Sequence, residues 1–388
     1  MIVYNKQLLD NEVLTDEADA LYKGGFISKE QKKFIEKELP VLKSQKNILV
    51  RIGFFLLGCL LFGSICGAIS LFGLSAENTF FKICCYIFAV VGFAGVELLA
   101  NQGYHNHGLD DAFILNALLC LGAAIGITTE GYEMVIAFFV AVGALFIFLR
   151  YLHVISMLVF CLSATAFLFF GMFEFGDVGK AILPFTAMIF AGVFYFLTKK
   201  MMNRLNERYY YNGLLLANSF CLVLFYLSCN YLVVRELSAE LLGTEVKPGI
   251  DIPFAFFFYA FTFIVPVLYL VHALKTKDRL MLWISFLAIG FSIYTIRFYH
   301  SVLPIEVALT LGGIVLFGIA YFSIRNLKEK ESGLTFKPDR INHSDSLLNA
   351  EALVVASTFG MKPEVKPQAS PMEFGGGGFS GGGSDGRF

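Results

Sequence analysis

The densest run of chemically capable side chains is GVELLANQGYHNHGLDDAFILN, residues 95–116, which holds Glu97, Asn101, His105, His107, Asp110, Asp111 and Asn116. Two imidazoles followed by paired carboxylates could offer nitrogen and oxygen ligands to zinc or another divalent ion, with His105, His107, Asp110 and Asp111 as the ligand set. Glu97, Asn101, Asn116, Arg150 and His153 could instead line a proton or substrate pathway. A carboxylate in an apolar segment costs a few kcal/mol unless it is paired, neutral or near water, so Glu97 needs a partner, and Arg150 or His153 is expected to supply it. The plainest reading needs no ligand: Asp110 caps a helix that begins in this run and the remaining groups are hydrated. That reading ranks first, the pathway second and the metal third. H-x-H is a weak signal beside H-E-x-x-H, which the chain lacks.

The segments that must hold these residues are apolar. Of 388 residues, 57% are hydrophobic and 16% charged, against the usual quarter charged, so the excess faces something other than water. About ten apolar runs are long enough to cross a hydrocarbon core as helices, near 52–73, 80–100, 112–128, 134–149, 152–172, 181–198, 213–233, 252–274, 280–298 and 302–324. Continuous runs of this length favour helices over barrel strands, whose signature is about ten residues of alternating character. The expected class is an all-α, polytopic helical membrane protein. Its lipid partner is the bilayer, and a net charge of −1 with no recognition motif speaks against nucleic acid.

Lysine and arginine gather in alternate connections: Lys29 to Arg51 before the first run, Lys199, Lys200, Arg204 and Arg208 after the sixth, Lys275, Lys277 and Arg279 after the eighth, and Arg325, Lys328 and Lys330 after the tenth. That bias puts both termini in the cytoplasm. Trp283 is the lone tryptophan, so an interfacial belt would be built of Tyr132, Tyr151, Tyr209, Tyr210, Tyr211, Tyr231, Tyr299 and Tyr321. Gly63 and Gly67 are spaced to allow close helix approach in the first run. The eight cysteines all fall in apolar runs without a C-x-x-C pair, and they read as packing residues. No leader or lipid anchor is expected at either end.

The expected organisation is a helical hairpin over 1–50, a transmembrane domain over 51–325, a segment with an amphipathic helix over 326–360, and a proline linker with a glycine and phenylalanine tail over 361–388. In the hairpin, Thr15 reads as a helix start, Gly24 and Gly25 as its end, and Ser28 with Gln31 as a capping box for a second helix bearing Phe34, Ile35 and Leu39 opposite its lysines. Arg297 and His300, with Glu306 following, read as a local ion pair or an external ligand site. Residues 235–251 form the longest outer connection and are expected to carry a short helix. The tail contains GFSGG, but a nucleophile elbow needs a strand before the serine and a helix after it. What remains there is a disordered spacer, or a partner-binding handle built on Phe374, Phe379 and Phe388.

The LYKGGFISKEQ hairpin followed directly by a multi-span body resembles a bacterial family of predicted membrane proteins, domain of unknown function 2157. The resemblance implies the cytoplasmic (inner) membrane of a bacterium and brings no activity with it. The tail alone is similar to those of TPM-domain membrane proteins. The function expected is therefore non-enzymatic, with the cytoplasmic hairpin or tail engaging or regulating a protein partner. The alternatives are a small-molecule, ion or lipid transporter using Glu97 and its polar neighbours, and a metal-dependent enzyme at His105 and His107.

Overall fold

The computed structural model describes residues 2–23, 26–71, 78–204, 208–242, 252–276 and 278–299, with Val307, Thr310, Ile314, Phe317, Gly318, Tyr321 and Arg325 beyond them, all seven helical. Every regular element among the described residues is helical. Two short helices, α1 (Lys6–Lys23) and α2 (Lys29–Glu38), precede α3 (Ile48–Leu71), α4 (Asn78–Asn101), α5 (Leu109–Thr128), α6 (Glu133–Tyr151), α7 (Val154–Phe173), α8 (Gly176–Arg204) and α9 (Tyr211–Cys229). They are followed by α10 (Tyr231–Leu242), α11 (Ala255–Thr276) and α12 (Arg279–Tyr299). Nine of the described helices, α3 to α9 with α11 and α12, are long and apolar enough to cross a membrane. The tenth run falls largely outside the described residues, as do Gly24, Gly25, His300, Glu306, the amphipathic segment and the tail with Phe374, Phe379 and Phe388.

Neighbours in sequence pack as pairs, α4 on α5, α6 on α7, α8 on α9 and α11 on α12, and α5 also meets α3 and α6. Small residues allow the closest of these approaches. A Cβ at Gly92 would lie 2.6 Å from Ala117 Cβ, and one at Gly58 would lie 2.7 Å from Ala112 Cβ, so α5 turns an alanine face to both α4 and α3. Gly63 and Gly67, expected to do this, face open space instead, because α3 is the least enclosed of the nine helices. The third and fourth apolar runs, which looked short in sequence, are continuous helices of 20 and 19 residues. The cysteines described are all free thiols within helices, most of them buried.

The N-terminal segment docks on one end of this bundle. Tyr4, Leu9 and Leu42 are buried in the same core as Val96, Phe113, Ile147 and Tyr151. Val3 N–H donates to the Arg150 carbonyl at 3.1 Å, and Lys43 exchanges backbone bonds with Gly103 and His105 beside an isolated parallel bridge to Tyr104. The Ser28–Gln31 capping box forms as expected at α2. Thr15 does not start a helix: α1 begins nine residues earlier, and Thr15 is a buried interior position whose hydroxyl bonds the Asn11 carbonyl. Docking of Leu9, Asn11, Thr15 and Ala18 stabilises a helix whose sequence alone carries little amphipathic signal.

Candidate functional site

Antiparallel pairing brings the end of α4, the start of α5, the end of α6 and the starts of α3 and α7 to the hairpin end of the bundle. The linker from α6 to α7 is only Leu152 and His153, with Leu152 in the left-handed conformation at φ 56°. That tight turn sets Arg150, Tyr151, His153 and Ser156 together. The loop before α5 is shaped by Gly108, at φ +108°, where any side chain would strike the Arg51 carbonyl at 2.3 Å. Only glycine lets the loop lie against α3 there.

Asp111 is the hub. Its Oδ2 accepts from Arg51 Nε at 2.6 Å, joining α5 to α3, and its Oδ1 lies 3.1 Å from His153 Nε2 at the start of α7. Among the described residues neither atom of this second contact makes a directed hydrogen bond. His153 Nδ1 accepts the Ser156 backbone N–H at 3.2 Å and lies 2.7 Å from Ser156 Oγ, so the imidazole is the cap of α7. An accepting Nδ1 assigns the ring proton to Nε2, facing Asp111. Asp111, His153 and Ser156 are almost wholly buried.

Asp110 works differently from its expected role as cap. The α5 N-cap is Gly108, and Asp110 Oδ1 reaches back to accept from the backbone N–H groups of His107 at 2.9 Å and Gly108 at 3.0 Å. It ties down the loop rather than the helix's own first turn. Glu97 is held by Arg150, through Nε at 3.1 Å and a second bond from the other arm of the guanidinium, and by the Tyr151 hydroxyl at 2.7 Å. Of the two expected partners Arg150 takes Glu97, and His153 is committed to Asp111. Asn116 bonds the Ala112 carbonyl within its own helix and Cys59 Sγ on α3, while Asn101 is exposed at the end of α4.

The two loop histidines go to different neighbours. His105 Nδ1 lies 3.5 Å from Glu12 on α1, with its ring edge-on to Tyr4. His107 packs between Phe54 and Tyr104, leaving a buried Nδ1 with no hydrogen-bond partner among the described residues. No group of three or more histidine, cysteine, aspartate or glutamate side chains is placed to hold a metal ion among the described residues. Over this cluster Tyr4 donates to the Tyr104 carbonyl at 3.1 Å. Burial, reinforced by Asp110, pushes its hydroxyl well above the usual tyrosine range, so it stays a donor.

A second polar cluster, not anticipated from the sequence, lies at the opposite end of α9, α11 and α12. Proline at 266 cannot donate to the carbonyl of Thr262 one turn earlier, and that carbonyl instead accepts from Ser292 Oγ at 2.6 Å. Ser292 also meets the Tyr226 hydroxyl at 2.9 Å. Where α9 stops and α10 starts, Asn230 Oδ1 accepts from the Leu232 and Val233 N–H groups, and its amide bonds Tyr226 and Thr295. Thr262 Oγ1 takes the Tyr231 N–H at 3.0 Å. The bonds to the Thr262 carbonyl and to the Tyr231, Leu232 and Val233 N–H groups serve breaks in helices, and the others join side chains across them. The sequence signal was Pro266 inside an apolar run, which demands a donor from a neighbouring helix. Tyr151 and Tyr231, expected in an interfacial belt, are buried, whereas Tyr132 is exposed and donates to Glu174 at 2.9 Å.

Comparison of this chain with protein-family models, with curated proteins and with solved structures finds no match.

Proposed function

We propose that the chain is a multi-pass protein of a bacterial cytoplasmic membrane, with both termini in the cytoplasm, that acts without catalysis by presenting its cytoplasmic ends to a protein partner. The observation that carries this reading is how the ionisable groups are used. Within the bundle Glu97, Asp110, Asp111, Arg51, Arg150 and His153 are tied to one another or to backbone, joining helix to helix. On the hairpin, polar and apolar groups instead face outward, including Asp10, Leu14 at 49% exposure and Leu21 at 46%. The local pairing of Glu97 favours this reading over a transport pathway, since a relay needs groups free to exchange protons or ligands.

Orientation is supported by the alternation of the helices, which puts Lys199, Lys200 and Arg204 at the end of α8, Lys275 at the end of α11 and Arg279 at the start of α12 on the hairpin side. The test is quantitative co-purification from native membranes of the wild type, of a chain lacking residues 361–388, and of Leu14→Lys/Leu21→Lys. The reading expects a partner that the wild type recovers and one of the variants loses. An identical set of co-purifying proteins from all three contradicts it.

A further inference from the structure

We propose that α2, with Ile27 just before it, is a membrane-surface helix that lays Ile27, Phe34 and Ile35 into the acyl boundary of an anionic leaflet. The proposal rests on the multi-pass reading above and names what covers one face of the hairpin. Helix α2 buries none of its residues. Phe34 is 66% exposed, and Ile27, Phe34 and Ile35 line a shallow open depression together with Glu30 and Gln31. Opposite this face Lys32 binds Asp19 of α1, which fixes α2 to a helix that is itself docked on the bundle. The face of Ile27, Phe34 and Ile35 is thus held in place and left uncovered by the described residues.

Charge selects the occupant. Between residues 23 and 46 the chain carries Lys23, Lys29, Lys32, Lys33, Lys37, Lys43 and Lys46 against Glu30, Glu36 and Glu38, while residues 2–22 carry Asp10, Glu12, Asp16, Glu17 and Asp19 against Lys6. The acidic half docks on the protein and the basic half adjoins the first span. Lys29, Lys33 and Lys37 are exposed, with no acidic partner among the described residues. Lysines near an anionic surface are drawn to it, and an apolar face flanked by such lysines is the pattern of a helix lying in the interface. Position agrees: α2 is nine residues from α3, and the linker between them is pinned where Leu42 is buried and Lys43 bonds Gly103. With α2 on the lipid, the outer face of α1 and the C-terminal segment remain for a protein partner.

The test uses the full chain in bilayer nanodiscs of phosphatidylcholine with or without phosphatidylglycerol, containing lipids brominated near the top of the acyl chain. In the wild type, emission comes from Trp283 alone, 57% exposed on α12, and reports the span. Phe34→Trp in a Trp283→Phe background reports α2. The expected result is bromine quenching at position 34 in anionic discs that is lost in phosphatidylcholine alone, in high salt, and in Lys29→Glu/Lys33→Glu/Lys37→Glu. Quenching of Trp283 without quenching at position 34 in anionic discs overturns the proposal alone. If iodide is then also excluded from position 34, the face belongs to the chain's own tail when deleting 361–388 restores access, and to another protein when it does not. Absence of quenching at Trp283 overturns the multi-pass reading, and the proposal with it.

Discussion

At the hairpin end of the bundle α3, α5 and α7 are joined through the Asp111 carboxylate, and at the opposite end α9, α11 and α12 are joined by hydroxyls and one amide. Both clusters are buried and both bridge helices distant in sequence. They differ in what happens when one member is removed. A buried charge stripped of its partner keeps its full desolvation cost, so the Asp111 cluster fails as a unit. A hydrogen bond between helices in apolar surroundings contributes on average about 0.6 kcal/mol, because the same groups also find partners in the unfolded chain. The charged end is therefore brittle and the neutral end forgiving. That contrast suits an end that must hold the docked hairpin in one place.

The largest expected effect is that of Asp111→Ala, which leaves Arg51 and His153 facing each other across an empty position. It should lower unfolding free energy by about 3–5 kcal/mol, read by chemical unfolding of the purified protein. Asn230→Ala removes the α10 cap and the bonds to Tyr226 and Thr295, and should cost about 1–2 kcal/mol in the same assay. A cost matching that of Asp111→Ala would erase the distinction between the two ends.

Ser292→Ala orphans the Thr262 carbonyl only because Pro266 cannot bond it. In a Pro266→Ala background the new N–H restores that bond, so a double-mutant cycle should show a coupling of about 1 kcal/mol. Additive costs would mean that Ser292 does not serve the proline break. Glu97→Gln should cost about 0.2–1 kcal/mol, since Glu97 and Arg150 are each about a third exposed and their attraction is screened.

The smallest effect concerns Asp19 on the hairpin. Partial burial raises its affinity for protons, but the hydrogen bonds and charges of Lys32 and Lys23 outweigh this and hold the carboxyl below the usual range. A depressed native value means that the contribution is present above the unfolded pKa of about 4 and is lost as pH falls through the native one. Hydrogen exchange over α1 and α2 should therefore quicken with acid in the wild type, beyond the intrinsic rate, and show less of that dependence in Asp19→Asn.

Much of this was legible in the sequence wherever the determinant is local. The apolar runs mark the nine described helices long and apolar enough to cross a membrane, the Ser28–Gln31 spacing marks the start of α2, and the short helix expected within residues 235–251 is part of α10. Glu97 demanded a partner, and Arg150 was one of two named. What could not be read depends on contacts across the fold. Arg51 meets Asp111 sixty residues away because α3 packs on α5, and no periodicity encodes that register. Asp110 looked like a cap because aspartate at a helix start usually is one; Gly108 takes that position and frees the carboxylate to bind the loop behind it. The neutral cluster was missed because single hydroxyls in apolar helices commonly bond their own preceding turn, as Ser219 and Thr165 do here, and carry no mark of a partner elsewhere.

The central claim is that the Asp111 cluster fastens helices and does no chemistry on a ligand. It is tested most directly by replacing the whole cluster with apolar residues, Arg51→Met/Asp111→Leu/His153→Leu, and measuring unfolding free energy and partner recovery together. A fastener can be replaced, so the triple variant should regain most of the stability lost in Asp111→Ala and should recover the same partner as the wild type. A triple variant that is as stable as the wild type yet inactive in the cell, with partner recovery intact, would contradict the account and return these residues to a pathway.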